Sequence, residues 1–272
     1  MPFAQVNNIQ LHYQELGNMG PPLVILGGLG DNIRNWSMLA AQIAKHFRLL
    51  LIDNRGAGQS DKPPGPYKID DMACDTTALL DHLGIVKTYI LGFSMGAKIA
   101  MWMAVHRPEL VDKLVLVAPT PASEKSPAPL SSEVHDVLKN HEATEAHYKR
   151  QFEILFSPRY KEKFTPEMFA KFKSADPYPQ PKEAFLAQYD AVKNFDISGE
   201  AHHIVSPTLI IAGKVDQLTS HKNAEWLAEN IPHAELLIYE ESGHIPQAEE
   251  TKRFIADVTR FLKDDKNHSS DS

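Results

Sequence analysis

The stretch Thr88-Tyr89-Ile90-Leu91-Gly92-Phe93-Ser94-Met95-Gly96 decides how the chain is read. Thr88 to Leu91 is a short apolar, β-branched run of strand type, and from Met95 the pattern turns helical, with Ile99, Ala100, Met103 and Ala104 on one side before Pro108 stops it. Between them stands Gly92-Phe93-Ser94-Met95-Gly96, a G-x-S-x-G string expected by chance in about 0.04 copies in a chain of this composition. A tight strand–turn–helix lifts a serine hydroxyl into the open, and it needs glycine two residues to either side, where side chains would collide across the turn. A serine in this place could also merely cap a helix. The position directly after a strand, with both glycines, favours Ser94 as a nucleophile.

Outward from this point, short apolar runs alternate with helical segments, the pattern of an α/β sheet covered on both faces. The strand runs are Phe3–Val6, Ile9–Gln14, Leu23–Leu26, Leu49–Ile52, Thr88–Leu91, Leu114–Val117, Thr208–Ile211 and Leu236–Tyr239, which makes eight. The first two flank Asn7-Asn8 and read as a hairpin. Met72, Thr76, Leu79, Leu80 and Leu83 share a helix face that Gly84 closes, and Phe254, Val258, Phe261 and Leu262 form the last helix. The alternation breaks between Pro121 and Val205. Pro119, Pro121, Pro127 and Pro129 open an extended linker, followed by helical stretches over roughly Glu133 to Leu155, from Thr165-Pro166, and from Pro181. The expectation is a sheet core over residues 1–120 and 206–263, a helical cap over 121–205 inserted after the sixth strand, and a flexible polar tail over 264–272.

Composition sets outer bounds. With 272 residues, of which 43% are hydrophobic and 23% charged, the chain can bury about 73% of its surface on folding, so disorder and low-complexity architectures are excluded. Lys plus Arg is 28 against 35 for Asp plus Glu, a net charge of −7, which speaks against tracking a nucleic-acid backbone. No apolar run has membrane length, and Met1 to Leu16 is too polar for a signal peptide, so the chain reads as cytoplasmic. On that reading the sequons at Asn35 and Asn267 are chance. The single cysteine, Cys74, excludes an intramolecular disulfide or a thiolate metal cluster and reads as a small core residue on a helix.

A serine nucleophile needs a base, and the base an orienting acid. His244 lies in Glu241-Ser242-Gly243-His244-Ile245-Pro246, a loop after the last strand, and Asp216 lies in Gly213-Lys214-Val215-Asp216, after the strand before it. Parallel strands present their carboxyl ends together, so both emerge on the edge that carries Ser94. The order Ser94, Asp216, His244 is the one this geometry uses. The sixth strand ends in Val117-Ala118-Pro119-Thr120, with no acid to compete. His202-His203 lacks a ligand pattern, so no metal is expected. Acyl transfer also needs oxyanion donors. These are assigned to the backbone N–H groups of Met95, after the nucleophile, and Leu29, in the loop Gly27-Gly28-Leu29-Gly30-Asp31. A dinucleotide site in that loop is disfavoured because Ile33 replaces its third glycine.

Together these residues resemble the α/β-hydrolase superfamily across nearly the whole chain, most closely the capped serine esterases and lactonases grouped with 3-oxoadipate enol-lactonase. Asp53-Asn54-Arg55-Gly56-Ala57-Gly58-Gln59-Ser60 is similar to the family's D-x-R-G-x-G-x-S turn, whose acid and arginine act as structural braces, and Trp36 fits the helix after the oxyanion loop. The resemblance implies an eight-stranded, mostly parallel sheet flanked by helices, no cofactor, and cleavage of a small carboxylic ester or lactone through an acyl-enzyme. Members often carry His-Gly where this chain has Gly27-Gly28, and proline where it has Thr251. Serine at position 94 argues against relatives that use a carboxylate nucleophile. A carbon–carbon bond hydrolase, a cofactor-free perhydrolase or haloperoxidase, and a non-catalytic ligand receptor are alternatives on the same scaffold. Lys149 to Lys173 carries seven basic and three acidic residues with Phe152, Phe156, Phe164, Phe169 and Phe172 between them. A rim attracting carboxylated substrates is one reading; solvated outer helix faces are the plainer one.

Overall fold

A computed structural model describes residues 2–123, 128, 131–142 and 144–264. All of the expected tail except Asp264, and part of the linker with Pro127 and Pro129, lie outside the described residues.

Chain order is β1 (Phe3–Val6), β2 (Ile9–Leu16), β3 (Pro22–Leu26), α1 (Ile33–Ile43), β4 (Arg48–Ile52), α2 (Ile69–His82), β5 (Thr88–Phe93), α3 (Met95–His106) and β6 (Val111–Val117). Then follow α4 (Ser132–Lys139), α5 (Glu145–Leu155), α6 (Pro158–Lys161), α7 (Pro166–Ser174) and α8 (Lys182–Asn194), all before the sheet resumes. It closes with β7 (Thr208–Gly213), α9 (His221–Asn230), β8 (Ala234–Tyr239), α10 (Pro246–Glu249) and α11 (Thr251–Lys263). The eight strands pair in the order β1-β2-β4-β3-β5-β6-β7-β8. Pairings β1–β2 and β2–β4 are antiparallel and the rest are parallel. Asn7 and Asn8 turn the first hairpin with φ of 46° and 64°, the left-handed pair a two-residue turn requires.

Side-chain alternation splits the core in two. Leu23, Ile25, Leu91, Val115, Val117, Leu209 and Ile211 face α1 and α11. Val24, Leu26, Ile90, Leu114, Leu116 and Ile210 face α2, α3 and α9. Each such buried aliphatic contributes about 1.5–3 kcal/mol relative to exposure, so a one-residue slip of any central strand would be prohibitive. β4 lies on one side of β3 and β5 on the other, so the winding direction reverses there and opens a crevice at the strands' carboxyl ends.

Polar braces fix this edge. Buried Asp53, after β4, accepts from the Ile33 amide at 2.7 Å and pairs with His12 of β2 at 2.6 Å. Arg55 grips Asp75 of α2 with two bonds of 2.6 and 2.8 Å. Both therefore brace rather than face the crevice floor. Lys113, fully buried on β6, donates to the carbonyls of Phe261, Leu262 and Asp264 at 3.2, 3.1 and 2.7 Å and so caps the end of α11.

The helices between β6 and β7 carry their own small core of Tyr148, Phe152, Phe156 and Phe169, against which Ile245 packs. Thr165 caps α7 as its Thr-Pro start requires, its hydroxyl accepting from Met168 at 3.3 Å. Two expectations are corrected. The stretch from Glu133 to Leu155 is two helices, because Thr144 caps α5 with its side chain and buried His141 leaves the helical path to stack on Phe185 at 3.8 Å. Cys74 is exposed, since the buried face of α2 is carried by Met72, Ala73, Thr76, Leu79 and Leu80.

Candidate active site

Ser94 stands between β5 and α3 with φ 53° and ψ −112°, a strained backbone costing about 1–3 kcal/mol. The glycines around it are obligatory. A Cβ on Gly92 would lie 2.3 Å from the Gly96 carbonyl oxygen, and one on Gly96 would lie 2.0 Å from that of Leu26. The sharp turn brings the Ser94 hydroxyl to 3.1 Å from Nε2 of His244. Nδ1 of His244 lies 2.8 Å from Oδ2 of Asp216. Three residues from three strand ends thus form one hydrogen-bonded chain.

The acid is held from both sides. Its Oδ1 accepts from the Leu218 and Thr219 amides at 2.7 and 2.8 Å, and its Oδ2 from the Thr219 hydroxyl at 2.7 Å. That hydroxyl is also 3.1 Å from His244 Nδ1. The histidine loop is held by the inserted helices: the His244 amide donates to the Leu155 carbonyl at 2.8 Å. One oxygen of Glu249 accepts from the Gly243 and Ser157 amides at 3.1 and 3.2 Å. Its other oxygen is buried without a partner among the described residues, and burial pushes the carboxyl pKa up.

The two expected oxyanion donors stand at the start of α3 and in the loop after β3. Among the described residues neither the Leu29 nor the Met95 amide has an acceptor. Half-buried Asp31 organises this loop, accepting from the Gly28 amide at 3.3 Å and the Trp36 indole at 3.0 Å, and also from Asn35. Burial nevertheless raises its pKa. A Cβ on Gly27 would come within 3.0–3.2 Å of Asp31 and Trp36, so the absent side chain makes room for this brace. Asn35, the first sequon's acceptor, is engaged here.

Ser94, Leu29 and His244 line a cavity of about 520 Å³, roofed by Tyr148, Phe156, Tyr160 and Phe169. Charged groups in it are few. Lys173 approaches the Gly30 carbonyl at 3.5 Å, with Asp31 and Asp176 opposing the pKa depression that burial imposes. Lys98 lies on α3, its ammonium 3.2 Å from the Thr120 carbonyl. Much of the basic stretch, for which solvated outer helix faces are a plainer reading than a rim, is paired outside: Lys149 with Glu145 and Glu167, Lys161 with Glu153, and Arg159 with Glu241. Among the described residues no group of His, Cys, Asp or Glu could hold a metal, and no helix is long and apolar enough to cross a membrane. Sequence reasoning missed Asp31, Thr219, Glu249 and Lys98. Only Lys98 leaves a local signal, a charge inside an otherwise apolar helix four residues after the serine.

A family model described as the alpha/beta hydrolase fold matches residues 21–251. The 3-oxoadipate enol-lactonase 2 of Acinetobacter baylyi is 30% identical over 257 residues, spanning 94% of each chain. Among solved structures, the enol-lactonase from Burkholderia xenovorans LB400 superposes with a TM-score of 0.83 at 26% identity, covering 97% of this chain and 100% of that one. An esterase from Exiguobacterium antarcticum superposes at 0.85 and 26% identity, covering 96% and 99%.

Proposed function

We propose, for a chain that belongs to the α/β-hydrolase family, that it is a serine hydrolase of small carboxylic esters or lactones. The hydrogen-bonded chain from Ser94 through His244 to Asp216, at 3.1 and 2.8 Å, carries this reading. His244 takes the Ser94 proton as the hydroxyl attacks the carbonyl, and Asp216 fixes the tautomer and balances the imidazolium. The amides of Leu29 and Met95 receive the tetrahedral oxyanion. His244 returns the proton to the departing alkoxide, then activates the water that frees the acyl group. In a lactone the alkoxide stays tethered, and the product is one hydroxy acid. The segment between β6 and β7 serves as a cap, supported by its aromatic residues in the cavity roof and its bond to the His244 amide.

The test is labelling by a fluorophosphonate probe, with turnover of short p-nitrophenyl esters and lactones, in wild type and Ser94→Ala. Labelling and turnover that both vanish in Ser94→Ala are expected. A wild type that neither labels nor turns over any member of the panel refutes the reading and leaves a ligand receptor in its place.

A further inference from the structure

Lys98 is the fourth residue of α3, in the turn that follows Ser94. It is only 2% exposed, yet it lines the cavity. Its ammonium donates to the Thr120 carbonyl at 3.2 Å and sits 5.1 Å from the Phe195 ring centre. Three N–H bonds are available to an ammonium. Among the described residues no carboxylate forms an ion pair with this one. Asp196 acts on it only electrostatically, and its Oδ1 accepts from the Ser198 amide and hydroxyl at 3.0 and 2.6 Å. Lys173, the other lysine among the described residues that line the cavity, differs because Asp31 and Asp176 both favour its charged form.

A cation withdrawn from water into an aromatic and aliphatic cavity is costly unless it is paired. Here the carbonyl and the ring compensate in part, and the side chain lines the cavity, where an entering group can meet the remaining N–H groups. We infer that Lys98 is a specificity-determining residue that binds a carboxylate of the substrate, so the preferred esters or lactones carry an anionic group at the end that reaches the ammonium beside the Thr120 carbonyl. This rests on the proposed serine hydrolase activity. The direction of its titration agrees: burial pushes Lys98 down to about 7, with Asp196 opposing. An entering carboxylate would restore the charge, taking up a proton where the free amine is neutral.

The experiment compares kcat/KM within matched pairs of esters. One pair is the p-nitrophenyl hemiester of glutaric acid against p-nitrophenyl valerate, with the carboxylate on the acyl chain. The other is 4-acetoxybenzoate against phenyl acetate, with the carboxylate on the leaving group. In at least one pair wild type favours the charged ester, and Lys98→Met lowers that charged-to-neutral ratio at least tenfold. A wild-type preference absent from both pairs, or an equal loss on both members in Lys98→Met, overturns the inference. A second reading follows pH. Both members of a pair share His244, so its titration cancels in the ratio; the wild-type ratio falls as pH rises from 6 to 9, and Lys98→Met abolishes that fall, which separates Lys98 from Lys173 in the same cavity. A flat wild-type ratio, or a fall that survives in Lys98→Met, counts against the inference. Fluorophosphonate labelling separates the two ideas. Labelled enzyme without charge discrimination removes the role of Lys98 alone, whereas no labelling and no turnover removes the hydrolase itself.

Discussion

Asp216 reaches His244 through one oxygen while the Leu218 and Thr219 amides hold the other. Asp216→Asn keeps the shape but removes the charge and turns an amide N–H toward one of these donors. On the triad reading its kcat on a p-nitrophenyl ester falls by about 10⁴-fold, with the thermal midpoint moving little by comparison. A kcat within tenfold of wild type would exclude Asp216 as the orienting acid. Gly96 shows how far a single residue was readable in advance. Its need for no side chain follows from the pentad, and the 2.0 Å approach to the Leu26 carbonyl supplies the reason. Asp31, by contrast, was invisible. A lone acid in a glycine loop carries no mark of the indole and amides that fold around it.

At the scale of elements, Lys113 links the middle of the sheet to the last helix. Lys113→Met fills similar space but strips three carbonyls of their donor. A cost of about 1–3 kcal/mol is expected, read as a lower urea midpoint at unchanged slope. No shift would mean that water replaces the ammonium at once. Glu249 joins the loops of Ser157 and Gly243 in the same manner. Since burial raises its pKa, Glu249→Gln should approach wild-type kcat, whereas Glu249→Ala should lose roughly tenfold. Equal effects of the two would show that volume, not acceptance, matters. Strand centres were legible from their apolar runs, but β6 begins at Val111 and not Leu114, because Asp112 and Lys113 read as loop residues. The break between α4 and α5 went unseen for a similar reason. Its determinant, the packing of His141 on Phe185 from α8, lies far away in sequence.

Across the whole molecule, acid sensitivity should follow from buried histidine. His141 lies 3.1 Å from His147, and its pKa is pushed down to about 4, first by burial and then by His147, Lys173 and Lys182. Unfolded histidine titrates near 6.5, so the unfolded chain takes up this proton first. The stability is therefore complete above about pH 6.5 and is lost as pH falls toward 4, on the order of 3 kcal/mol from this group. His141→Gln should flatten the acid limb of urea stability between pH 6.5 and 4. An unchanged limb would assign the loss to other groups. The sheet, its insertion point and the three strand-end residues were all readable at this scale, because each rests on local pattern and chain order. The residues that close the cavity were not, since they depend on how the inserted helices dock.

The bond from the His244 amide to the Leu155 carbonyl constrains how such a scaffold can be re-engineered. A chimera that takes this helical segment from another protein replaces the backbone on which the histidine loop leans. Its junctions would have to preserve the carbonyl at 155 and the amide at 157, and Glu249 would have to travel with them. Grafts designed only around cavity shape would change substrate choice and proton transfer together, and their kinetics would misattribute one to the other.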